Sequence, residues 1–127
     1  MKYGFSKTTD YSFEQVIEKV TEELKKEGFG VLTTIDVKDT LKKKIDVDFK
    51  KYTILGACNP KLAHGALQIE EELGLLLPCN VIVYEKNEKT VVSIFDPRVM
   101  TLVIENPEMK PVAEEVKIKL QRVLEAV

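Results

Sequence analysis

The chain has 127 residues, of which 44% are apolar, and its 19 Lys and Arg residues nearly balance its 21 Asp and Glu residues, leaving a formal net charge of -2. This length supports one domain with a core that needs no disulfide or structural metal. The charge balance argues against nucleic-acid binding, because affinity for phosphate requires an excess of Lys and Arg.

No apolar run approaches the ~20 residues that cross a bilayer, and the first residues, MKYGFSKTTD, contain no apolar signal region. The two cysteines, Cys58 and Cys79, are too few for the disulfide framework of a secreted protein. We therefore expect a cytoplasmic protein, a single domain over residues 1–127, with neither membrane nor nucleic acid as partner.

Two different periodicities mark the first strand and the first helix. Residues 2–8 alternate, with Tyr3 and Phe5 on one face, which predicts a half-buried strand. The sequence SFEQ, residues 12–15, has the form of a capping box, in which a serine hydroxyl and a glutamine side chain bond to backbone N–H groups. Apolar residues then recur at helical spacing, and Gly28 stands where a helix commonly ends.

The following segments predict two more strands with a short helix between them. A strand is expected over 29–35, with its odd-numbered residues on one side. A short helix is expected over 36–44, because its aspartates lie near the start and its lysines near the end, as the helix dipole favours. Residues 52–59 are apolar on both faces, which is typical of a central strand.

Asn59 and Pro60 predict the start of the second long helix, since asparagine is a good N-cap and proline a good first helical residue. We expect this helix to end at Gly74. Its apolar stripe faces inward, whereas His64 and Gln68 point the opposite way.

The last third of the chain predicts a hairpin and a C-terminal helix. Residues 81–85 pair with 90–95 across the polar segment between them. Asp96 and Pro97 begin a short helix, and a final amphipathic helix follows Pro111.

These elements give five strands and three main helices, an α+β layer in which helices cover one face of a mainly antiparallel sheet. Such a sheet leaves a second face or an edge free for a partner. Leu75–Leu77 and Ile118, which falls alone on the polar face of the last helix, fit a surface for a second copy. The alternative is that they pack within the core or loops.

Three residues with soft-metal ligand side chains are spaced as C-x5-H-x14-C: Cys58, His64 and Cys79. This spacing matches no zinc-finger pattern, because such sites normally pair ligands two to four residues apart. A fourth ligand from Asp96 or Glu71, or a water molecule, would be needed to complete the site. The alternatives are packing for the cysteines and a plain surface position for the histidine.

Cys58 also has the surroundings of a reactive thiol. It ends a strand just before the helix that Asn59 caps, where free N–H groups and the helix dipole favour a thiolate. Whether Cys79 joins it depends on topology. If the strands on either side of the helix are parallel, the two thiols lie at opposite ends of the sheet; if they are antiparallel, they share one end and His64 approaches from the side of Cys58.

Four motifs together resemble a known family: GFGVL at 28–32, YTILGACNPKLAH at 52–64, LLPCNVIVY at 76–84 and the pair Asp96-Pro97. With these motifs the chain resembles the domain-of-unknown-function 302 family over nearly its whole length. The resemblance implies an α+β fold like that of the TATA-binding protein, with a curved, mainly antiparallel sheet and helices on one face. It also implies a homodimer, but neither a reaction nor a cofactor.

The motif positions and the residue chemistry together lead to three hypotheses. The first is a homodimeric binding module for a small molecule or metal ion, at a site formed by Cys58, Asn59, Cys79 and Asp96, with His64 joining the two cysteines for a metal. The second is a thiol-dependent enzyme or redox sensor that uses Cys58. The third is a structural dimer without a ligand.

Overall fold

Five strands form one antiparallel sheet in the order β1-β5-β4-β3-β2 in the computed structural model, which describes residues 2–127. The predicted α+β class and five-stranded sheet are confirmed. The strands are β1 (Gly4–Thr9), β2 (Gly30–Asp36), β3 (Tyr52–Cys58), β4 (Cys79–Lys86) and β5 (Lys89–Phe95). The helices are α1 (Phe13–Lys26), α2 (Val37–Ile45), α3 (Pro60–Ile69), α4 (Met100–Val103) and α5 (Met109–Ala126), with 3₁₀ segments at Glu71–Leu76 and Pro97–Val99.

Helices α1 and α5 cover one face of this sheet, and the core lies between them and the strands. The capping box of α1 forms as predicted, with hydrogen bonds of 3.0 and 3.2 Å between Ser12 and Gln15. The apolar stripe that follows is buried because alternate residues of β3, β4 and β5 present a matching apolar surface. The side chains buried between the helices and the strands include Val16, Val20, Leu24, Leu55, Val81, Val83, Val92, Ile94, Leu120 and Val123.

The predicted alternation of the second strand is wrong beyond Val31. A β-bulge at Leu32 shifts the register against β3, so that Val31 pairs with Ala57 but Thr33 pairs with Gly56. One extra residue reverses the faces of all that follow. Ile35 therefore shares a face with Ile54 and is exposed, instead of packing beside Val31.

The helix predicted to run to Gly74 instead ends at Ile69. Glu70 has an extended backbone, with φ of -140° and ψ of 100°, and the chain continues as the 3₁₀ segment. Leu73 is buried, as its place in the apolar stripe predicts. It lies in the 3₁₀ segment, however, and not in the α-helix. The change of direction brings the following residues to the start of β4.

Smaller differences occur at the chain's other element ends. The first strand begins at Gly4, and Tyr3 is 77% exposed instead of sharing a buried face with Phe5. The last helix begins at Met109, with Pro111 in its first turn, where a missing N–H is tolerated. The β4–β5 hairpin turns at Asn87 and Glu88, which both have positive φ, so its backbone twist matches that of the strands.

No helix within residues 2–127 is both long enough and apolar enough to cross a bilayer.

Candidate functional site: an apolar cavity at one end of the sheet

A cavity of about 320 Å³ lies where the end of β3 and the start of β4 meet helices α3 and α5. Its walls are almost wholly apolar. The lining residues are Phe29, Leu32, Thr33, Ala57, Cys58, Asn59, Leu62, Ala63, Ala66, Leu73, Leu77, Pro78, Cys79, Pro97, Met100, Met109, Val112, Ala113 and Val116.

The two cysteines meet at this cavity because β3 and β4 are antiparallel. Ala57, the neighbour of Cys58, pairs directly with Cys79, and both thiols are free. The parallel alternative, which would have separated them across the length of the sheet, is therefore wrong. Both cysteines line the same cavity, as the antiparallel alternative predicts.

The two thiols differ in their surroundings. Cys79 is 6% exposed, and burial, aided by the nearby Cys58, raises the pKa of its thiol from 9.0 to about 11. Loss of solvation disfavours the thiolate, so Cys79 stays protonated at neutral pH. Cys58 is the last residue of its strand and is half-buried.

Asn59 lines the cavity, but both ends of its side-chain amide are used within the fold. Its oxygen accepts a hydrogen bond of 3.2 Å from the backbone N–H of Leu62 and so caps α3, as predicted. Its nitrogen donates to the carbonyl oxygen of Glu27 at the end of α1, at 3.3 Å. Gly28, with φ of +85°, allows this link, because a Cβ there would lie only 2.9 Å from the Asn59 nitrogen. Asn59 thus fixes one cavity wall rather than offering a free amide to a ligand.

Asp96 lies at the same end of the sheet but does not line the cavity. Its carboxylate is 2% exposed and is bound by Arg98, whose backbone N–H and guanidinium donate hydrogen bonds of 2.8 to 3.2 Å. Burial opposes the charge, but these hydrogen bonds and the charges of Arg98 and Lys117 hold the pKa of Asp96 below its ordinary value of 3.8. The predicted ligand residue is therefore occupied in holding the short helical turn after β5.

His64 does not join the cysteines. It is exposed on α3, where its Nε2 atom lies 3.3 Å from Nε2 of Gln68, and it does not line the cavity. In the part of the chain that the structure describes, no three side chains of His, Cys, Asp or Glu are placed together to hold a metal ion.

Gly56 determines how tightly the sheet end closes beside the cavity. A Cβ at this position would collide with the Thr33 side chain and would lie 2.8 Å from Cγ of Pro78. Because glycine has no side chain, β2 and the segment before β4 approach each other over β3. Thr33 and Pro78 then form part of the cavity lining.

The sequence did not predict the helical walls of the cavity. Inward positions of α3 and α5 read as ordinary core, and Met100 and Met109 had no assigned role. One feature of the sequence does indicate the cavity. The inward faces of these helices carry the small residues Ala63, Ala66 and Ala113, which leave space that larger side chains would fill.

Comparisons with known proteins agree with the motifs. The model of a family described as domain of unknown function DUF302 matches residues 5–127. The crystal structure of an uncharacterized conserved DUF302 protein from Bacillus stearothermophilus superposes with a TM-score of 0.93 at 29% sequence identity, covering 99% of this chain and 98% of that one. No curated protein matches the chain.

Proposed function

Because the chain belongs to the family described as domain of unknown function DUF302, which assigns no activity, we propose a function from the cavity: the protein binds a small apolar molecule with an unbranched alkyl portion. The observation that carries the proposal is an apolar pocket of about 320 Å³ at one end of the sheet. Ligand pockets begin at roughly this volume.

The residues that line the cavity indicate which class of ligand it can bind. Aliphatic side chains and two methionines make up most of the wall, and Phe29 is its only aromatic residue. The polar amide of Asn59 is already paired, and Asp96 lies outside. A ligand with many hydrogen-bonding groups would find few partners besides the Thr33 hydroxyl in this lining, whereas an alkyl chain loses only its contact with water.

Isothermal titration calorimetry with hexanol, octanol and decanol tests this proposal. We expect binding to strengthen about fourfold for each added CH2 group until the chain fills the cavity, since each buried CH2 contributes about 0.8 kcal/mol. The variant Ala113→Leu extends a side chain into the cavity and should weaken octanol binding at least tenfold. Thermal melting checks that this variant is folded.

Ala126→Leu is the matched control, because Ala126 is an exposed position on the same helix and does not line the cavity. Alanine and leucine have similar helix propensities, so the two variants differ mainly in where the new side chain points. A wild-type protein that binds none of the alcohols, or equal octanol affinity in both variants, would contradict the proposal.

We also propose that the protein is a homodimer and that its second copy packs against the β2–α2 unit, residues 30–49. Five large apolar side chains are exposed there: Leu32, Ile35, Ile45, Val47 and Phe49. Helix α2 has no buried residue, and an isolated helix of this length is unstable in water. Strand β2 is a sheet edge, and an edge strand can pair antiparallel with its own copy across a two-fold axis.

The charges of this unit favour a second copy over a partner of one sign. Lysines and aspartates both occur along it, and Lys42 and Lys43 already form ion pairs with nearby aspartates. Such a surface is complementary to itself when one copy is turned to face the other. Of the residues predicted to contact a partner, Leu75 is 83% exposed and Ile118 is exposed, but Leu77 packs against the core and lines the cavity.

A further inference from the structure

We propose that Cys58 accepts an acyl group from an acyl thioester and that the acyl chain then occupies the cavity. The inference rests on the proposed binding of alkyl chains. It adds a covalent site and a substrate class: thioesters of medium-length fatty acids.

The position of Cys58 carries the argument. The residue lines the cavity and is only half-buried, so it borders both the apolar space and the solvent. A thioester has its reactive carbonyl next to its alkyl chain. A donor whose chain enters the cavity therefore brings the carbonyl carbon close to the thiol that lines it, which replaces a bimolecular encounter by a positioned one.

The reaction balances without an oxidant or a metal. The Cys58 thiolate attacks the carbonyl carbon, a new carbon–sulfur bond forms, and the donor's carbon–sulfur bond breaks. The donor leaves as a thiol carrying the proton that Cys58 has lost. One thioester is exchanged for another, so burial of the chain in the cavity is what favours the product.

Cys79 does not compete for the acyl group. It is buried, with 6% of its surface exposed, so a donor in solution reaches its thiol less easily than that of Cys58, and loss of hydration disfavours its thiolate. Cys79 instead contributes a small, neutral wall.

Intact-protein mass spectrometry after incubation with octanoyl-coenzyme A is the test. We expect one octanoyl group per chain, located on Cys58 by peptide mapping, removed by neutral hydroxylamine and absent from Cys58→Ala. The octanoyl donor should react at least tenfold faster than acetyl-coenzyme A. In Ala113→Leu this preference should fall, whereas alkylation of Cys58 by iodoacetamide should be unchanged, and Ala126→Leu should behave as wild type.

Each opposite result overturns the inference. Acylation of Cys79 or of lysines, a hydroxylamine-stable adduct, or equal rates for the two donors would exclude a role for Cys58 beside the cavity. If octanol binds but no acyl transfer occurs, the covalent inference fails and the proposed binding function stands. If neither occurs, both fail.

Discussion

Cys58 and Cys79 show how strongly position determines the chemistry of one residue type. Cys79 pairs with Ala57, the neighbour of Cys58, yet Cys58 is half-buried at the end of its strand and Cys79 is enclosed by the core. The pKa of Cys79 rises to about 11 because its thiolate would lose its hydration. Only Cys58 combines access to solvent with access to the cavity.

The raised pKa of Cys79 predicts a specific loss of stability in alkali. In the unfolded chain this thiol ionises near its ordinary pKa of 9.0, whereas in the folded protein it keeps its proton until about pH 11. The folded state thus binds more protons in this window, so stability is fully present below about pH 9 and is lost as the pH rises through about 11. Urea denaturation at about pH 8 and about pH 10.5 measures the effect.

The matched comparison is Cys79→Ala, which loses some packing at every pH but has no thiol to ionise. Between the two pH values we expect the free energy of unfolding to fall by about 2 kcal/mol more in wild type than in the variant. Other groups titrate in both proteins and cancel. Parallel losses in the two proteins would show that Cys79 ionises as easily in the folded state as in the unfolded one.

At the scale of elements, Asn59 joins the start of α3, which lines the cavity, to the end of α1. It caps α3 through its oxygen and holds the end of α1 through its nitrogen. Asn59→Ala removes both bonds and should cost about 2 kcal/mol in the free energy of unfolding. Asn59→Asp keeps the capping oxygen but loses the donor to Glu27, and should cost about half as much. Chemical denaturation of the three proteins checks the order.

Equal stability of wild type and Asn59→Ala would contradict the double role. An Asn59→Asp variant as unstable as Asn59→Ala would also contradict it, because the capping hydrogen bond would then contribute nothing to the free energy of unfolding. Since Leu62 and Ala63 follow the cap and line the cavity, octanol binding should weaken in the same order as stability.

The sequence predicted those elements whose local chemistry and burial agree. The capping box and the Asn59-Pro60 start are encoded by a few adjacent residues, and the observed elements begin there. The bulge at Leu32 and the extended Glu70 carry no comparable local mark, because each is set by what packs against it. Local motifs likewise predicted Cys58 and Asn59 as site residues. The opposite wall of the cavity comes from α5, which is far from them in the sequence, so no local motif could indicate it.

At the scale of the whole molecule, exposed large apolar side chains occur on several elements. Five of them, Leu32, Ile35, Ile45, Val47 and Phe49, lie on one unit at the β2 edge of the sheet. This unit is the surface that the proposed second copy would cover.

Sedimentation velocity at micromolar concentration tests the proposed dimer. We expect wild type to sediment as a dimer and Ile35→Glu to sediment as a monomer, because the new carboxylate would be buried without a partner. Leu75→Glu, at an exposed leucine of the 3₁₀ segment outside this unit, should remain dimeric. A monomeric wild type would contradict the dimer. Dissociation caused by Leu75→Glu and not by Ile35→Glu would show that the second copy binds at another surface.

The near absence of buried side chains in β2 and α2 also determines where the folded protein opens locally. Within one copy, every residue of β2 except Val31 is exposed and α2 buries none, so opening this unit in a monomer exposes little new apolar surface and costs little free energy. In the monomeric Ile35→Glu variant, amide hydrogens of Val37–Ile45 should therefore exchange with solvent through local opening, while those of β4 and β5 exchange only when the whole domain unfolds. Hydrogen exchange followed by NMR would show two separate classes, and uniform protection would refute this. Because Leu32 and Thr33 belong to the same unit and line the cavity, the frequency of this opening would set how quickly a bound molecule escapes.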